Sequence, residues 1–472
     1  MIKKGIFSLC LLCQFLCFSQ DGQTVSYTLS ECIDIAIKNN LDLKLSELRA
    51  KSSKVNYNQA WGNILPNLNG NYDVGINNGR SIDPFTNGYV NQKLTFSNAG
   101  LSLNATVFNG FKLMNTIKQN RLSLKASEME IEEAKQNLIL DVTLGYIQIM
   151  NSKDKLELAK SRLVVTQNQV DRLGVLYKEE VGNPADYTDM KGQFASDTIA
   201  VISAENSLKE ATLNLFQLMG LQETKNSNFE SLDPSLELVQ YAHNAEDVYN
   251  EALQNLATFK AKELRFQSAQ MGVKAAKAEY VPEISFFGRL NTNYSSAAQV
   301  FTDNGSSIVE TGDFVTIDNQ NYTILSNQSQ FTNDGISYKD QFNNNVSSVV
   351  GLSVNIPLFN GFRARNLVAL QKIRRDESSI DLQNTKLLFH NAIEQAYINM
   401  EAAFKRYTVL EQQQEAFAES FRINEIRFNN GVSNIIEYIT SKNNLDAARL
   451  NLSNAKYEYL LRQKILDYYR GL

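Results

Sequence analysis

From residue 29 onward the apolar positions along the chain change period in a fixed order. Residues 29–63 space their apolar side chains as a helix does, and the run stops just short of Pro66, whose ring cannot continue one. Alternation replaces it. Leu68, Tyr72, Val74 and Ile76 share one parity while Asn67, Asn69, Asn71, Asp73 and Asn77 take the other, which predicts a strand with one apolar and one Asn-rich face. A second strand follows, with Leu101, Leu103, Ala105 and Val107 set against Ser102, Asn104 and Thr106. From Gly110-Phe111 to Gly182-Asn183-Pro184 only the isolated Gly145 and Gly174 punctuate the pattern, leaving about 70 residues, or about 100 Å, of helix. Ile117, Leu124, Ile131 and Leu138 recur every seven residues along it, the seam of a coiled coil. Residues 185–219 add a helix about half as long.

The second half of the chain repeats this order. Residues 245–280 are helical in spacing and stop before Pro282; Ile284, Phe286, Leu290 and Tyr294 then oppose Ser285, Arg289, Asn291 and Asn293. Leu352, Val354, Ile356 and Leu358 oppose Ser353, Asn355 and Pro357, a long helix runs from Gly361 to Gly431 with Ile373, Ile380 and Leu387 in a seam, and residues 433–469 form the last helix. The correspondence is one of residues as well as of pattern. At an offset of 216, Ala36 meets Ala252, Glu47-Leu48-Arg49 meets Glu263-Leu264-Arg265 and Pro66 meets Pro282. Farther on the offset is 251, so that Val107-Phe108-Asn109-Gly110-Phe111 lies over Leu358-Phe359-Asn360-Gly361-Phe362 and Tyr187 over Tyr438. Fixed offsets sustained this far mean a tandem duplication: a first repeat at 20–222, a polar linker at 223–244 and a second repeat at 245–472. The difference, 251 − 216 = 35 residues, is an insertion within 297–345, a polar stretch without Lys or Arg from Asp303 to Tyr338. It reads as a surface loop or short hairpin excursion, expected to lie outside the cell and to be dispensable from Asp303 to Tyr338.

Alternation alone fits two architectures, a half-buried strand of a soluble sandwich or a membrane strand with lipid on one side and water on the other. The helices decide between them. Ordinary globular domains rarely hold two helices of about 70 residues, and two half-length helices stacked end to end match one long one. The expected fold class is therefore a mixed α and β membrane protein, a long coiled-coil helical barrel with a β segment at one end. Four strands per chain cannot close a barrel, which takes about eight, and open edges are not tolerated in lipid. The chain must oligomerise through its strands, two copies giving eight and three giving twelve.

Composition adds the compartment. Lys3 and Lys4 precede an apolar run from Gly5 to Phe18, and cleavage before Gln20 leaves Cys17 and Ser19 at the small-residue positions: residues 1–19 read as a secretory signal peptide. Three of four cysteines leave with it, so the mature chain keeps Cys32 alone and forms no internal disulfide. Its charge becomes 46 − 2 − 51 = −7, against a nucleic-acid partner. No later stretch holds the ~18 apolar residues of a membrane helix. His243 and His390, the two histidines, lie far from any cysteine, and no P-loop, GxGxxG or GxSxG pattern occurs. No catalytic, cofactor or metal site is expected, and His390 reads as a packing or surface residue.

On the junctions VFNGF and PLFNGF, the proline stops and the duplication, the chain resembles the TolC-like outer-membrane efflux protein family over nearly its whole mature length. The resemblance implies a homotrimer in the bacterial outer membrane, with a twelve-stranded barrel made of four strands from each of three chains and a helical tunnel in the periplasm. It implies a passive exit duct for efflux or type I secretion, working with a periplasmic adaptor (membrane fusion) protein and an inner-membrane transporter. The rival reading is a periplasmic coiled-coil adaptor or scaffold, which needs helices but no lipid-facing strands. The helix-linking turns Asn183-Pro184-Ala185-Asp186-Tyr187 and Asn434-Ile435-Ile436-Glu437-Tyr438 read first as helix caps, an Asn with an acid three residues on. They also read as a periplasmic aperture, where threefold copies of Asp186, Asp189 and Glu437 form an acidic ring. In the family acids line this constriction. Glu437 matches one such position, whereas Thr440 stands where a second acid is expected, and Phe428 and Ser433 replace a locking Tyr and Arg.

Overall fold

A computed structural model describes residues 25–82, 87–91, 93–222, 227–231 and 238–472. The expected signal peptide at 1–19 lies outside the described residues, as do 223–226 and 232–237 of the expected linker. The first half runs β1 (Val25–Tyr27), α1 (Leu29–Asn39), α2 (Leu41–Gly62), β2 (Asn67–Asn77), β3 (Arg80–Ile82), β4 (Tyr89–Asn91), β5 (Leu94–Phe108), α3 (Lys112–Lys178), α4 (Pro184–Leu218) and β6 (Ser227–Phe229). The second runs α5 (Ala245–Asn255), α6 (Ala257–Lys277), β7 (Glu283–Ser295), β8 (Gln299–Ile317), β9 (Gln320–Gly335), α7 (Tyr338–Asn344), β10 (Ser347–Asn355), α8 (Arg363–Asn429) and α9 (Ile435–Arg470). Two compact units result, one holding the chain up to Lys54, Leu122–Gln267 and Asp376–Leu472, the other Val55–Arg121 and Ser268–Arg375.

The first unit is helical, and its core is built twice from equivalent residues. Cys32, Ala36, Val142, Ile149 and Leu215 are buried together in one cluster; Val248, Ala252, Ile393, Met400 and Leu466, displaced by 216 or 251, are buried in the other. Burial pushes the Cys32 thiol up to about 12, so it packs as a small apolar group and is not a reactive thiolate. The helices expected over 29–63 and 245–280 are each broken, at Asn40 and Leu256, where the backbone turns extended. Asn40 makes the first break tolerable: its Oδ1 accepts from the amides of Asp42 and Leu43 at 2.9 and 3.0 Å, and its Nδ2 donates to the Leu218 carbonyl. Leu256 has no such group, and Gln136 takes over by accepting from the Ala257 amide at 3.1 Å.

The second unit holds a four-stranded antiparallel sheet in the order β10-β7-β5-β2. Its register carries the sequence parity from strand to strand. Leu68 lies opposite Leu103, Leu101 opposite Leu290 and Phe286 opposite Leu352, so the apolar sets of all four strands share one face. Asn69, Asn71, Ser102, Asn104, Arg289, Asn291 and Ser353 share the other. The last strand is shorter than its alternation suggested: it ends at Asn355, and Ile356 and Leu358 fall outside it because Pro357 offers no amide to a ladder.

Of the loop and the short hairpin expected for the insertion, the structure has the hairpin, and a longer one than expected. β8 and β9 pair over their whole length around Asp318-Asn319, both with positive φ (49° and 65°), as a two-residue type I′ turn requires. Two register shifts in β8 coincide with Gly305 and Gly312, also at positive φ. Tyr338 is not part of the dispensable excursion. It begins α7, which lies on the apolar face at the end of β7: Tyr338 stacks on Phe342 with ring centroids 4.4 Å apart, its hydroxyl meets that of Tyr72 at 3.2 Å, and Thr292 donates to the Phe342 carbonyl. Gln341, 1% exposed, bonds both the amide and the carbonyl of Ser295. Replacing residues 304–330 by an Asn-Gly turn is therefore expected to leave assembly intact and shift the melting temperature by less than about 3 °C. A deletion running through Tyr338 should lower it by clearly more; equal melting of the two would contradict the packing role of α7.

Candidate functional site

Each strand-to-helix junction uses the same two-residue device. Gly110 and Phe111 both have positive φ (63° and 64°), and so do Gly361 and Phe362 (62° and 62°). A phenylalanine in that region is strained, and the strain recurs at both copies. Its product is an edge-to-face aromatic pair at each junction, Phe108 with Phe111 and Phe359 with Phe362, with Phe111, Phe359 and Phe362 exposed. Glu279 ties the junctions together, pairing with Lys112 at the start of α3 and with Arg363 at the start of α8. Lys112 and Arg363 are themselves related by 251.

Between these aromatic pairs and the Tyr72–Tyr294–Tyr338 cluster the apolar face of the sheet is open. Leu68, Val74, Leu101, Val350, Leu352 and Val354 are all exposed on it. Along β5 the span from Phe108 to Ser97, whose hydroxyl reaches Tyr338, is about 36 Å, or about 28 Å for a strand tilted by ~40°, close to the ~25 Å apolar band of a membrane barrel. Two phenylalanines on the polar face, Phe96 and Phe287, lie over Gly75 and Gly351, where any side chain would collide with the rings. Among the described residues no helix is long and apolar enough to cross a membrane.

The two helix-linking turns form a second locality, in the helical unit. Asn183 caps α4 by accepting from the Ala185 amide at 3.1 Å, and its Nδ2 donates to Asp186 at the same distance. Asn434 caps α9 by accepting from the Glu437 amide at 2.8 Å. Glu437 bonds back to Asn434 and pairs with Arg427 at 3.5 Å. Behind the turns Leu173, Met190, Phe428, Ile435 and Tyr438 are buried together; Phe428 stacks on Tyr438, whose phenol burial pushes up to about 12. Arg172 crosses from α3 to the Asn429 carbonyl. Asp186 is half-buried, and Asp189, Glu437 and Thr440 are exposed. Among the described residues no hydrogen bond or ion pair joins these four to one another. Phe428, which replaces the locking Tyr of the resemblance, serves as core; Ser433 is half-buried beside the cap.

Sequence reasoning missed the charged cluster that joins α3, α4 and α9. Asp197, fully buried, lies 2.7 Å from Arg162 Nε and 3.3 Å from Lys442 Nζ, and accepts from Thr166 and Gln193. Lys442, 3% exposed at its side chain, also reaches Asp446 at 2.8 Å. The signal was present: Lys442 falls between Tyr438 and Leu445 on the buried stripe, and Asp197 lies seven residues after Met190. His390 packs edge-on against Tyr249 at 4.9 Å, and no metal-holding cluster occurs among the described residues.

The model of the outer membrane efflux protein family matches residues 32–221 and again 248–471, 190 + 224 = 414 of the 472 residues, with starts displaced by the same 216. The chain belongs to the outer membrane efflux protein family. The outer membrane efflux protein BepC of Brucella suis is 20% identical over 439 residues, 93% of this chain and 84% of that one. The outer membrane protein TolC of Escherichia coli is also 20% identical, over 90% of this chain and 78% of its own length. Among solved structures, the CmeC outer membrane channel of Campylobacter jejuni superposes with a TM-score of 0.75 at 16% identity, covering 94% of this chain and 85% of that one. As an outer membrane efflux protein the chain resides in the outer membrane and serves as a channel of efflux systems; its mixed helical and sheet fold is the TolC-like one.

Proposed function

We propose that three copies join through their sheets, β2 of one protomer pairing with β10 of the next, to close a twelve-stranded barrel that continues as a helical duct. One observation carries this: a sheet with its exposed Leu, Ile and Val side chains gathered mainly on one face, Asn and Ser mainly on the other, and both edges unpaired among the described residues. Lipid accepts the apolar face but not the unpaired edge groups of β2 and β10, so closure needs further copies. The choice of three over two comes from the family resemblance. Cargo passes without bond chemistry, handed on by a periplasmic adaptor protein and an inner-membrane transporter. The rival adaptor or scaffold reading has no use for a sheet of this kind. A mass measurement on the detergent-purified protein should give three chains; a monodisperse folded monomer, or recovery from the soluble periplasm without detergent, would overturn the reading.

The aperture belongs to the same proposal. Three copies of Asp186, Asp189 and Glu437 would gather up to nine carboxylates around one axis, with Thr440 adding none. The Asn434 and Arg427 contacts of Glu437 support a capping role beside it. Glu437→Gln keeps the hydrogen bond to Asn434 and loses an exposed ion pair of little worth, so stability should hold while block by divalent cations in a bilayer recording weakens. Glu437→Ala should additionally cost about 1 kcal/mol. Unchanged block with Gln would leave Glu437 as a cap alone.

A further inference from the structure

We propose that the helical unit holds a binding site for a small organic anion with an apolar body, in the cleft between α3, α4 and α9. Lys155, Leu158 and Arg162 face it from α3, and Leu445 and Arg449 from α9, each set at helical spacing; they enclose a cavity of about 330 Å³ with Phe421 of α8 at its edge. That volume is at the small end of ligand pockets and suits a two-ring acid. The α4 wall is small throughout, Ala200, Ser203, Ala204 and Ser207, and it is this that leaves the space open.

The charge in the cleft is unbalanced. Arg162 and Lys442 are already matched by Asp197 and Asp446. Lys155 and Arg449 line the same cavity and make no ion pair among the described residues, which leaves two uncompensated cations beside apolar side chains. Burial holds the Lys155 ammonium below the usual lysine range, as expected of a cation drawn out of water without a partner. A carboxylate or sulfonate on an apolar body would supply both missing interactions, charge to Lys155 and Arg449 and surface to Leu158, Leu445 and Phe421.

Naphthalene-2-sulfonate is a suitable probe, with uncharged naphthalene-2-methanol as a control of the same shape that also reports partition into detergent. Ligand-observed NMR on the full-length, detergent-purified protein should show saturable binding of the sulfonate, at least roughly tenfold tighter than the alcohol. The double substitution Lys155→Met with Arg449→Met should abolish that preference, and Lys155→Arg should keep it. Neither residue makes an ion pair among the described residues that the substitutions would break, so the double variant should melt no lower than the parent and so be shown folded. Equal binding of sulfonate and alcohol, an unchanged preference in the double variant, or no saturable binding (the result if another chain covers the cleft) would each overturn the proposal. None of these readouts depends on the number of copies in the channel, so failure here leaves the trimer reading standing.

Discussion

Replacing Asp197 by alanine is expected to destabilise the helical unit by about 3–5 kcal/mol, the largest loss of any single polar substitution in it. Asp197 is fully buried and gathers four partners from three helices, ion pairs with Arg162 and Lys442 and hydrogen bonds from Thr166 and Gln193. Its removal leaves Lys442, almost as deeply buried, and Arg162 to share the single carboxylate of Asp446. The loss is thus mainly the cost of a buried cation left short of charge, and not the worth of the bonds themselves. Asp197→Asn should lie between, since the amide can still accept a hydrogen bond from Thr166 or Gln193. Asp197→Leu combined with Lys442→Met should recover most of the loss, because both sides of the pair then become apolar. Thermal unfolding in detergent distinguishes the cases. A single Asp197→Ala variant that melts within a few degrees of the parent would show that water reaches the cluster.

The same cluster shows where a sequence stops being legible. Parity and heptad spacing are local, so the strand faces and the long helices could be read from residues two, four or seven apart, and the twofold repetition from identities at the fixed offsets of 216 and 251. Asp197 and Lys442 lie 245 residues apart, and neither spacing nor composition says that one neutralises the other. The breaks at Asn40 and Leu256 escaped for a related reason. Apolar spacing continues through both, and the groups that accept the freed amides include Gln136, more than a hundred residues away from its partner. The hairpin was underestimated because β8 and β9 have no buried face to impose a clean alternation, and two bulges shift its parity partway along. At the turns, the caps formed by Asn183 and Asn434 were legible because a cap is local; whether Asp186, Asp189 and Glu437 meet across an axis depends on copies of the chain that its own sequence does not describe.

An arginine on the apolar face of the sheet should block membrane assembly, whereas one on the polar face should be tolerated. Leu101 and Asn98 make the comparison within one strand. Both lie in β5, which is paired on each side, so neither substitution disturbs an edge. Leu101 is 48% exposed on the apolar face, midway between the Phe108 junction and the Tyr338 cluster; Asn98 faces the other way, opposite Asp73 and Asn293. In lipid, an arginine near mid-depth costs about 2–4 kcal/mol per chain, and in the proposed trimer that cost is incurred three times. Leu101→Arg is therefore expected to reduce the detergent-resistant assembly recovered from outer membranes by at least roughly tenfold, since about 1.4 kcal/mol already gives that factor. Asn98→Arg should assemble like the parent, because the interior of the proposed barrel is water-filled and accepts the guanidinium, and Asp73 lies opposite to pair with it. Leu101→Phe, apolar and larger, should also assemble, which separates charge from bulk. If Leu101→Arg and Asn98→Arg assemble equally well, neither face meets lipid, and the sheet is the half-buried layer of a soluble structure that its alternation alone would also allow.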